Sequence, residues 1–256
     1  MTVDRDRYGP WAVIAGGSEG VGAALARRLA DAGVNLVLVA RKPGPLHDLA
    51  DSVRRSGVLV RPLAVDLLAS DAIAAVRDAT AGLDVGLLVI NAGANTHRGE
   101  FVESDPAGAQ RVVDLNITVR LALCHHFGAQ LKARGRGGIL LIGSLAGYVG
   151  HAGIGVYAAA KAFGRIFAEG LWLELQPHGV DVLELVLGLT DTPAMRRAGL
   201  RLVDADDADA VAAEGLAHLG TGPVRVTAGN LAAATARSAL DRAAVVRDNA
   251  GRRYRT

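Results

Sequence analysis

Cysteine is almost absent from the chain. The single residue of this kind, Cys124, cannot form an intrachain disulfide, and its place in the run Leu121-Ala122-Leu123-Cys124 marks it as a small core residue. Aromatic side chains make up only 4% of the 256 residues while half are apolar; with Ala, Val, Leu and Gly dominant, the core is one of helices packed closely on a parallel sheet. An excess of charge of one sign is also missing. The 28 basic and 26 acidic residues leave +2, an isoelectric point of about 8.9 reflects only that small excess, and the balance gives no argument for a nucleic-acid partner. Arg252, Arg253 and Arg255 read as a solvated basic terminus. No uninterrupted apolar run reaches the roughly 18 residues of a membrane span, and residues 1–10 are polar rather than signal-like, so a cytoplasmic protein without a membrane span is expected. Convincing metal-ligand spacing is lacking too: His125 and His126 are adjacent and point apart on a helix, and no metal is expected.

What is present alternates strand with helix. Trp11-Ala12-Val13-Ile14-Ala15 is a short apolar run that ends in Gly16-Gly17-Ser18-Glu19-Gly20-Val21-Gly22, and a helical pattern then runs to about residue 32. Glycines in such a turn let the backbone approach a ligand closely, and the free N–H groups and positive dipole end of the helix suit a pyrophosphate. The run 35–40 is a second strand, ending in Arg41 and Lys42. An acid at this place would read the 2′-hydroxyl of NAD, whereas a base accommodates the 2′-phosphate of NADP. Glu19, in the phosphate loop, is not the base that an ideal NADP site would add. A third strand, 59–66, ends in Asp66, placed to hydrogen-bond an adenine amine; a helix at 70–80 follows, and then the apolar strand 85–90 ends in Asn91-Ala92-Gly93. The sheet is therefore expected to be parallel and doubly wound, with ligands beyond the carboxyl ends of its strands, where Gly16, Arg41, Asp66, Asn91 and Ser144 collect.

A long helical pattern covers 106–134 with Asn116 midway, a polar residue between Leu115 and Ile117 that either faces solvent or serves a site. Strand 139–142 leads to Gly143-Ser144, and a helix carrying Tyr157 and Lys161 runs to about residue 176, stopped by Pro177 and Gly179. Tyr157 and Lys161 stand at i and i+4 on one helix face, so the ammonium favours the ionised phenol and draws it toward the working range of a general acid/base. A sixth strand, 180–187, precedes Gly188-Leu189-Thr190-Asp191-Thr192-Pro193. The acidic stretch 204–209 caps a helix reaching about 219, 224–226 is a short strand, and 230–246 reads as a final helix. No linker or repeat divides the chain. One Rossmann domain over 1–256 is expected, with 189–222 as a substrate-side lid or loop region.

The loop Gly16-x-x-x-Gly20-x-Gly22, Asn91-Ala92-Gly93, Asn116, Ser144 and Tyr157-x-x-x-Lys161, in this order and over nearly the full length, resemble the short-chain dehydrogenases/reductases. The resemblance implies a seven-stranded parallel sheet with helices on both faces and hydride transfer between NAD(P)H and a carbonyl or alcohol. It implies that Tyr157 is the acid/base, that Ser144 orients the carbonyl oxygen, that Lys161 holds the nicotinamide ribose and tunes Tyr157, and that Asn116 belongs to a water-linked proton relay. Cofactor contacts are implied for Gly16, Ser18, Glu19, Gly20, Val21 and Gly22, for Arg41, Lys42, Asp66 and Leu67, for Asn91, Ala92 and Gly93, for Tyr157 and Lys161, and for Gly188, Thr190 and Thr192. A homodimer or homotetramer is usual in the family.

Three departures from the family pattern stand out: Ala15 for the usual threonine, Ile90 for an asparagine, and Leu187-Gly188 for Pro-Gly, which bears on the loop carrying Thr190 and Thr192. The stretch 220–230 is similar to that of members acting on acyl or steroid-like ketones. An NADP-preferring oxidoreductase of a hydrophobic ketone or aldehyde is expected, its crevice lined by Leu145, Val149, Leu187, Leu189 and Met195. His97 and His151 follow strand ends at its rim, as substrate contacts or as plain loop residues. Two other readings remain: a non-catalytic NADP-binding sensor of the same fold, and a hydrolase using Ser18 of Gly16-Gly17-Ser18-Glu19-Gly20, which matches Gly-x-Ser-x-Gly but lacks an upstream oxyanion loop.

Overall fold

Runs of Val, Leu and Ile with no polar alternation can be satisfied only as strands covered on both faces, and that is where they lie. In the computed structural model, which describes residues 3–251 apart from the side chains of 250 and 251, a short helix α1 (Arg5–Tyr8) precedes β1 (Trp11–Ala15) and α2 (Gly20–Asp31). Then follow β2 (Asn35–Ala40), α3 (Pro43–Arg54), β3 (Val60–Ala64), α4 (Ala72–Thr80) and β4 (Val85–Ile90). The second half contains α5 (Pro106–Val113), α6 (Val119–Arg134), β5 (Gly137–Ser144), α7 (Gly155–Leu175) and β6 (Val180–Leu187). The remainder is β7 (Thr190–Asp191), α8 (Pro193–Arg197), β8 (Asp206–Asp207), α9 (Ala208–Ala217), β9 (Val224–Val226), α10 (Leu231–Arg237) and α11 (Arg242–Gly251). Arg252, Arg253 and Arg255 lie outside the described residues.

Seven strands form one parallel sheet in the order β3-β2-β1-β4-β5-β6-β9, and β7 and β8 pair separately as a two-stranded ribbon. The order reverses between β1 and β4, so the ligand crevice is expected beyond their carboxyl ends. Alternate residues of each strand feed two cores. Ile14, Leu38, Val89 and Leu140 meet Leu25 and Leu29 of α2, Leu46 of α3 and Val211 of α9, whereas Val13, Val39, Leu88 and Leu141 meet Leu123 and Phe127 of α6 and Ala168 of α7. Each fully buried Leu contributes about 1.5–3 kcal/mol against chain entropy. Within 189–222, α9 is therefore part of the sheet's cover, while the residues before it form the β7–α8–β8 projection.

Two expected helices are divided. The pattern over 106–134 is broken by a wide π-type turn at Asp114–Thr118. Asn116 donates its amide to the carbonyls of Val112 (2.9 Å) and Ala94 (3.2 Å), and a side chain inserted at the i−4 carbonyl widens the ladder there. The final helix of 230–246 is in fact α10 and α11. Asp241 caps the second by accepting from the Ala244 N–H at 3.0 Å, and the Arg242 guanidinium binds the Tyr148 and Ala239 carbonyls, so the chain must turn between them. Helix α3 begins at Pro43, with Pro45 also in its first turn, where a missing N–H costs nothing; the same prolines hid it from the sequence pattern. Burial pushes the Cys124 thiol up to about 12, which makes it an inert core residue.

Candidate active site

The loop between β1 and α2 is held from both sides. The N–H groups of Gly16 and Gly17 donate to the Val39 carbonyl of β2 at 2.8 and 3.2 Å, and the Asn91 amide donates to the Gly16 carbonyl at 2.7 Å. Gly16 (φ +85°) and Gly20 (φ +57°) occupy left-handed backbone, and a Cβ on Gly22 would collide with the Gly16 carbonyl. The result is a tight cradle whose free N–H groups open at the N-terminus of α2, next to Ser18, Val21 and Ala92. Asn91 thus clamps the loop to the end of β4.

One strand further, three elements meet at Gly93. A Cβ there would lie 2.8 Å from Asn116 Oδ1 and 3.1 Å from Lys161 Nζ, so only a glycine leaves these two groups room. Asn116 is 1% exposed, and its Oδ1 accepts no hydrogen bond from the described residues. Lys161, 3% exposed, donates to the Ile142 carbonyl at 3.0 Å, and its ammonium lies 5.6 Å from the centre of the Tyr157 ring. Ser144 closes β5 two residues beyond Ile142, with its Oγ accepting from the Ala146 N–H at 3.2 Å. The expected Asn116, Ser144, Tyr157 and Lys161 therefore gather at the carboxyl ends of β4 and β5.

Beneath Lys161 lies a charge pair that the sequence pattern did not single out. Arg120 of α6 and Glu184 of β6, each 1% exposed, are 3.0 Å apart. Burial, reinforced by Arg120 and opposed by Glu184, pushes the Lys161 ammonium down to about 7, and burial raises the Glu184 carboxyl. A signal was available for Glu184, an acid with apolar neighbours on both sides in the middle of β6. Arg120 stands four residues after Asn116 on the same helix face.

At the other end of the crevice, Arg41 and Lys42 are exposed, Arg41 lies 3.7 Å from Asp66, and Asp66 also accepts from the Leu68 N–H at 3.1 Å; Leu67 is buried beside them. The projection after β6 reaches back to the glycine loop. Thr192 caps α8 by accepting from the Met195 N–H at 3.2 Å and packs on Gly20, and Arg197 forms a bidentate ion pair with Glu19. Gly188 sits against the Asn230 side chain, which is itself bound to Asp206 at 2.7 Å, and Thr190 is buried. Glu19 is therefore occupied by a cation from the projection, and neither Arg197 nor Asn230 was legible as a partner in the sequence.

The apolar candidates separate. Leu145 and Val149 are buried, Leu145 in a small cluster with Val186 and Ala234, and Leu187 joins the main core, whereas Leu189 and Met195 are half-buried. His97 packs on Gly108 with its Nε2 buried and unpaired within the described residues. His151 meets the Asn249 amide of α11 at 3.1 Å, and burial with the nearby Arg237 lowers its imidazole from the ordinary value. Among the described residues, no three His, Cys, Asp or Glu side chains gather as metal ligands, and no helix is long and apolar enough to cross a membrane.

A sequence profile of the short chain dehydrogenase family matches residues 10–201. The chain belongs to this family. The 7beta-hydroxysteroid dehydrogenase of Clostridium sardiniense is 36% identical over 191 residues, 74% of this chain and 72% of that protein. A solved 7beta-hydroxysteroid dehydrogenase structure superposes with a TM-score of 0.88 at 27% identity, covering 97% of this chain and 99% of the other. A short-chain dehydrogenase from Sphingobium yanoikuyae, solved with NADPH, has a TM-score of 0.81 at 32% identity and covers 96% and 98%. This short-chain dehydrogenase is thus an NAD(P)-dependent oxidoreductase, which removes both the hydrolase reading of Ser18 and that of a sensor without activity. Its residues beyond 201, including α9, β9, α10 and α11, lie outside the profile match.

The ion pair of Glu19 with Arg197 yields a prediction. Arg197→Ala leaves a bare carboxylate on the phosphate loop and should weaken NADPH binding about threefold or more. Removing Glu19 as well should restore it. Equal losses in the single and double variants, measured by nicotinamide fluorescence titration, would contradict the pairing.

Proposed function

We propose that the enzyme prefers NADPH to NADH and interconverts a hydrophobic ketone or aldehyde with its alcohol. The observation that carries this reading is the gathering of Asn116, Ser144, Tyr157 and Lys161 around Gly93 and Ile142, beside a glycine cradle made for a dinucleotide. The cradle fits the cofactor: Gly16 and Gly20 take backbone conformations that side chains rarely adopt, and α2 offers unpaired N–H groups to a pyrophosphate. Gly16 to Gly22 with Asn91 and Ala92 would hold the phosphates, Asp66 and Leu67 the adenine, and Gly188, Thr190 and Thr192 the nicotinamide side. When bound, the dihydronicotinamide supplies hydride to the carbonyl carbon.

The protein's own groups do the rest. Ser144 donates to the substrate oxygen and orients it, and Tyr157 delivers the proton to that oxygen. Lys161 holds the ribose and, on the acid side of its lowered pKa, sets a positive charge before the Tyr157 ring. Asn116, with its buried Oδ1 unpaired among the described residues, is suited to hold a water through which the proton of Tyr157 is replaced. Arg41, whose side chain is 68% exposed, is free to turn from Asp66 to a 2′-phosphate.

A bulky ring ketone of the 7-oxosteroid kind is the substrate class we favour, on the likeness to 7beta-hydroxysteroid dehydrogenases and the half-buried Leu189 and Met195 of the projection. The 189–222 region acts as the substrate-side lid through its first part, β7 to β8. We also propose a cytoplasmic homodimer or homotetramer whose contact face includes the exposed Ile166 and Leu173, seven residues apart on α7.

A panel of ring, acyl and small ketones assayed with NADPH and NADH in parallel tests the reading; faster turnover with NADH throughout would overturn the cofactor preference. Tyr157→Phe should lower kcat at least a thousandfold while NADPH binding stays within about twofold, and substantial residual turnover would remove Tyr157 from the proton-transfer role. Arg41→Ala should raise the Kd for NADPH about tenfold and leave that for NADH unchanged. Light scattering should show Leu173→Lys as a smaller species than the parent; an unchanged mass would move the oligomer face elsewhere.

A further inference from the structure

Two charges closed off from water need a reason. Taking an ion out of water costs several kcal/mol even when it is paired, and apolar residues of the same volume often stabilise a fold as well or better. Yet Arg120 and Glu184, each 1% exposed, sit between α6, α7 and β6. Room for them is built from two glycines inside regular elements. A Cβ on Gly143 of β5 would collide with the Glu184 carboxylate, and one on Gly164 of α7 with both the Arg120 guanidinium and that carboxylate. A glycine inside a helix or strand is itself unfavourable, because it gives up more backbone freedom on folding than any other residue. Four positions on four elements are thus committed to one ion pair.

The pair is joined to the active site through one atom. The Ile142 carbonyl accepts from Arg120 Nη2 at 3.2 Å and from Lys161 Nζ at 3.0 Å. Two cations therefore share one carbonyl oxygen, with a single carboxylate to balance them. On the remaining sides, Arg165 of α7 stacks on the Tyr148 ring at 4.7 Å and lies 3.7 Å from Glu169; its charge bears on Glu184, and Tyr157 faces Lys161 from the same helix. Arg120 works against the Lys161 charge and Glu184 works for it.

We propose that Arg120 and Glu184 are positioning residues for Lys161: the pair fixes the carbonyl on which the ammonium rests and sets the pH range over which Lys161 stays charged. The proposal rests on the role given to Lys161 above. It adds a control that the Tyr157-Lys161 spacing does not contain, and two of its parts, Gly143 and Gly164, would be invisible without the packing.

The test compares Glu184→Gln, Arg120→Met and the double variant Arg120→Met/Glu184→Leu with the parent, following kcat/KM for NADPH-driven reduction of a 7-oxosteroid and NADPH affinity across the neutral pH range. With Glu184 neutral, Arg120 acts unopposed, and the alkaline limb of both profiles should move down by about one pH unit. With Arg120 removed, its larger opposing charge is lost and the limb should move up by more than that. The double variant, free of buried charge apart from Lys161, should melt within a few degrees of the parent and show its limb above the parent's, because Arg120 outweighs Glu184 at Lys161. Limbs that move together, or stay in place in folded single variants, overturn the proposal. Should neither single variant fold, a double variant with parental kcat and limb overturns it. Lys161→Met separates the two levels: full turnover in that variant removes Lys161 from the mechanism, whereas an inactive Lys161→Met beside unmoved limbs removes only the charge pair.

Discussion

The hydrogen bond from the Lys161 ammonium to the Ile142 carbonyl, 3.0 Å long and closed to solvent, is the contact through which the rest of the site is set. It fixes the rotation of α7 against the carboxyl end of β5, and with it the positions of Tyr157 one turn earlier and Ser144 two residues later. A buried cation tolerates little movement, since every displacement lengthens its one strong bond in a medium that offers no water as replacement. Gly93 and Asn116 complete the enclosure because no side chain larger than hydrogen fits between them and the ammonium.

The cofactor end works on the opposite principle. Arg41, Asp66 and Arg197 are about half exposed or more and Glu19 is partly exposed, so their pairings are weak, screened and exchangeable. That suits groups that have to release one partner to take a polyanion. The rigid part there is backbone: the Gly16 carbonyl bound by Asn91 and the Val39 carbonyl bound by Gly16 and Gly17. One crevice thus combines a dry proton-handling end with a wet phosphate-handling end, and the β7–α8–β8 projection reaches the phosphate end through Thr192 on Gly20 and Arg197 on Glu19.

Much of the fold was legible. Strand 85–90 is apolar throughout, and strands 35–40 and 180–187 are apolar apart from Asn35, Asp181 and Glu184, a pattern that suits a covered parallel sheet; even the three-residue strand at 224–226 completes the sheet as its seventh member. What misled were local polar groups acting on the backbone. Asn116 looked like one polar residue in a helix and in fact widens that helix into a π-type turn, because its amide competes for the Val112 carbonyl. Asp241 and Arg242 turned one expected helix into two. Pro43 and Pro45 concealed a helix by sitting at the one end where proline is welcome.

By itself, the sequence determined the alternation of strands and helices, the glycine turn between β1 and α2, the basic pair after β2 and the Tyr157-x-x-x-Lys161 spacing, because each depends on residues near one another along the chain. The tertiary structure alone decided that Lys161 rests on the Ile142 carbonyl, that Arg120 and Glu184 lie beneath it, that Arg197 answers Glu19 from 178 residues away, and that Gly93, Gly143 and Gly164 are needed for space. Those facts depend on which atoms meet across the sheet, and on how far burial raises the cost of a charge, neither of which leaves a period or a motif in the chain.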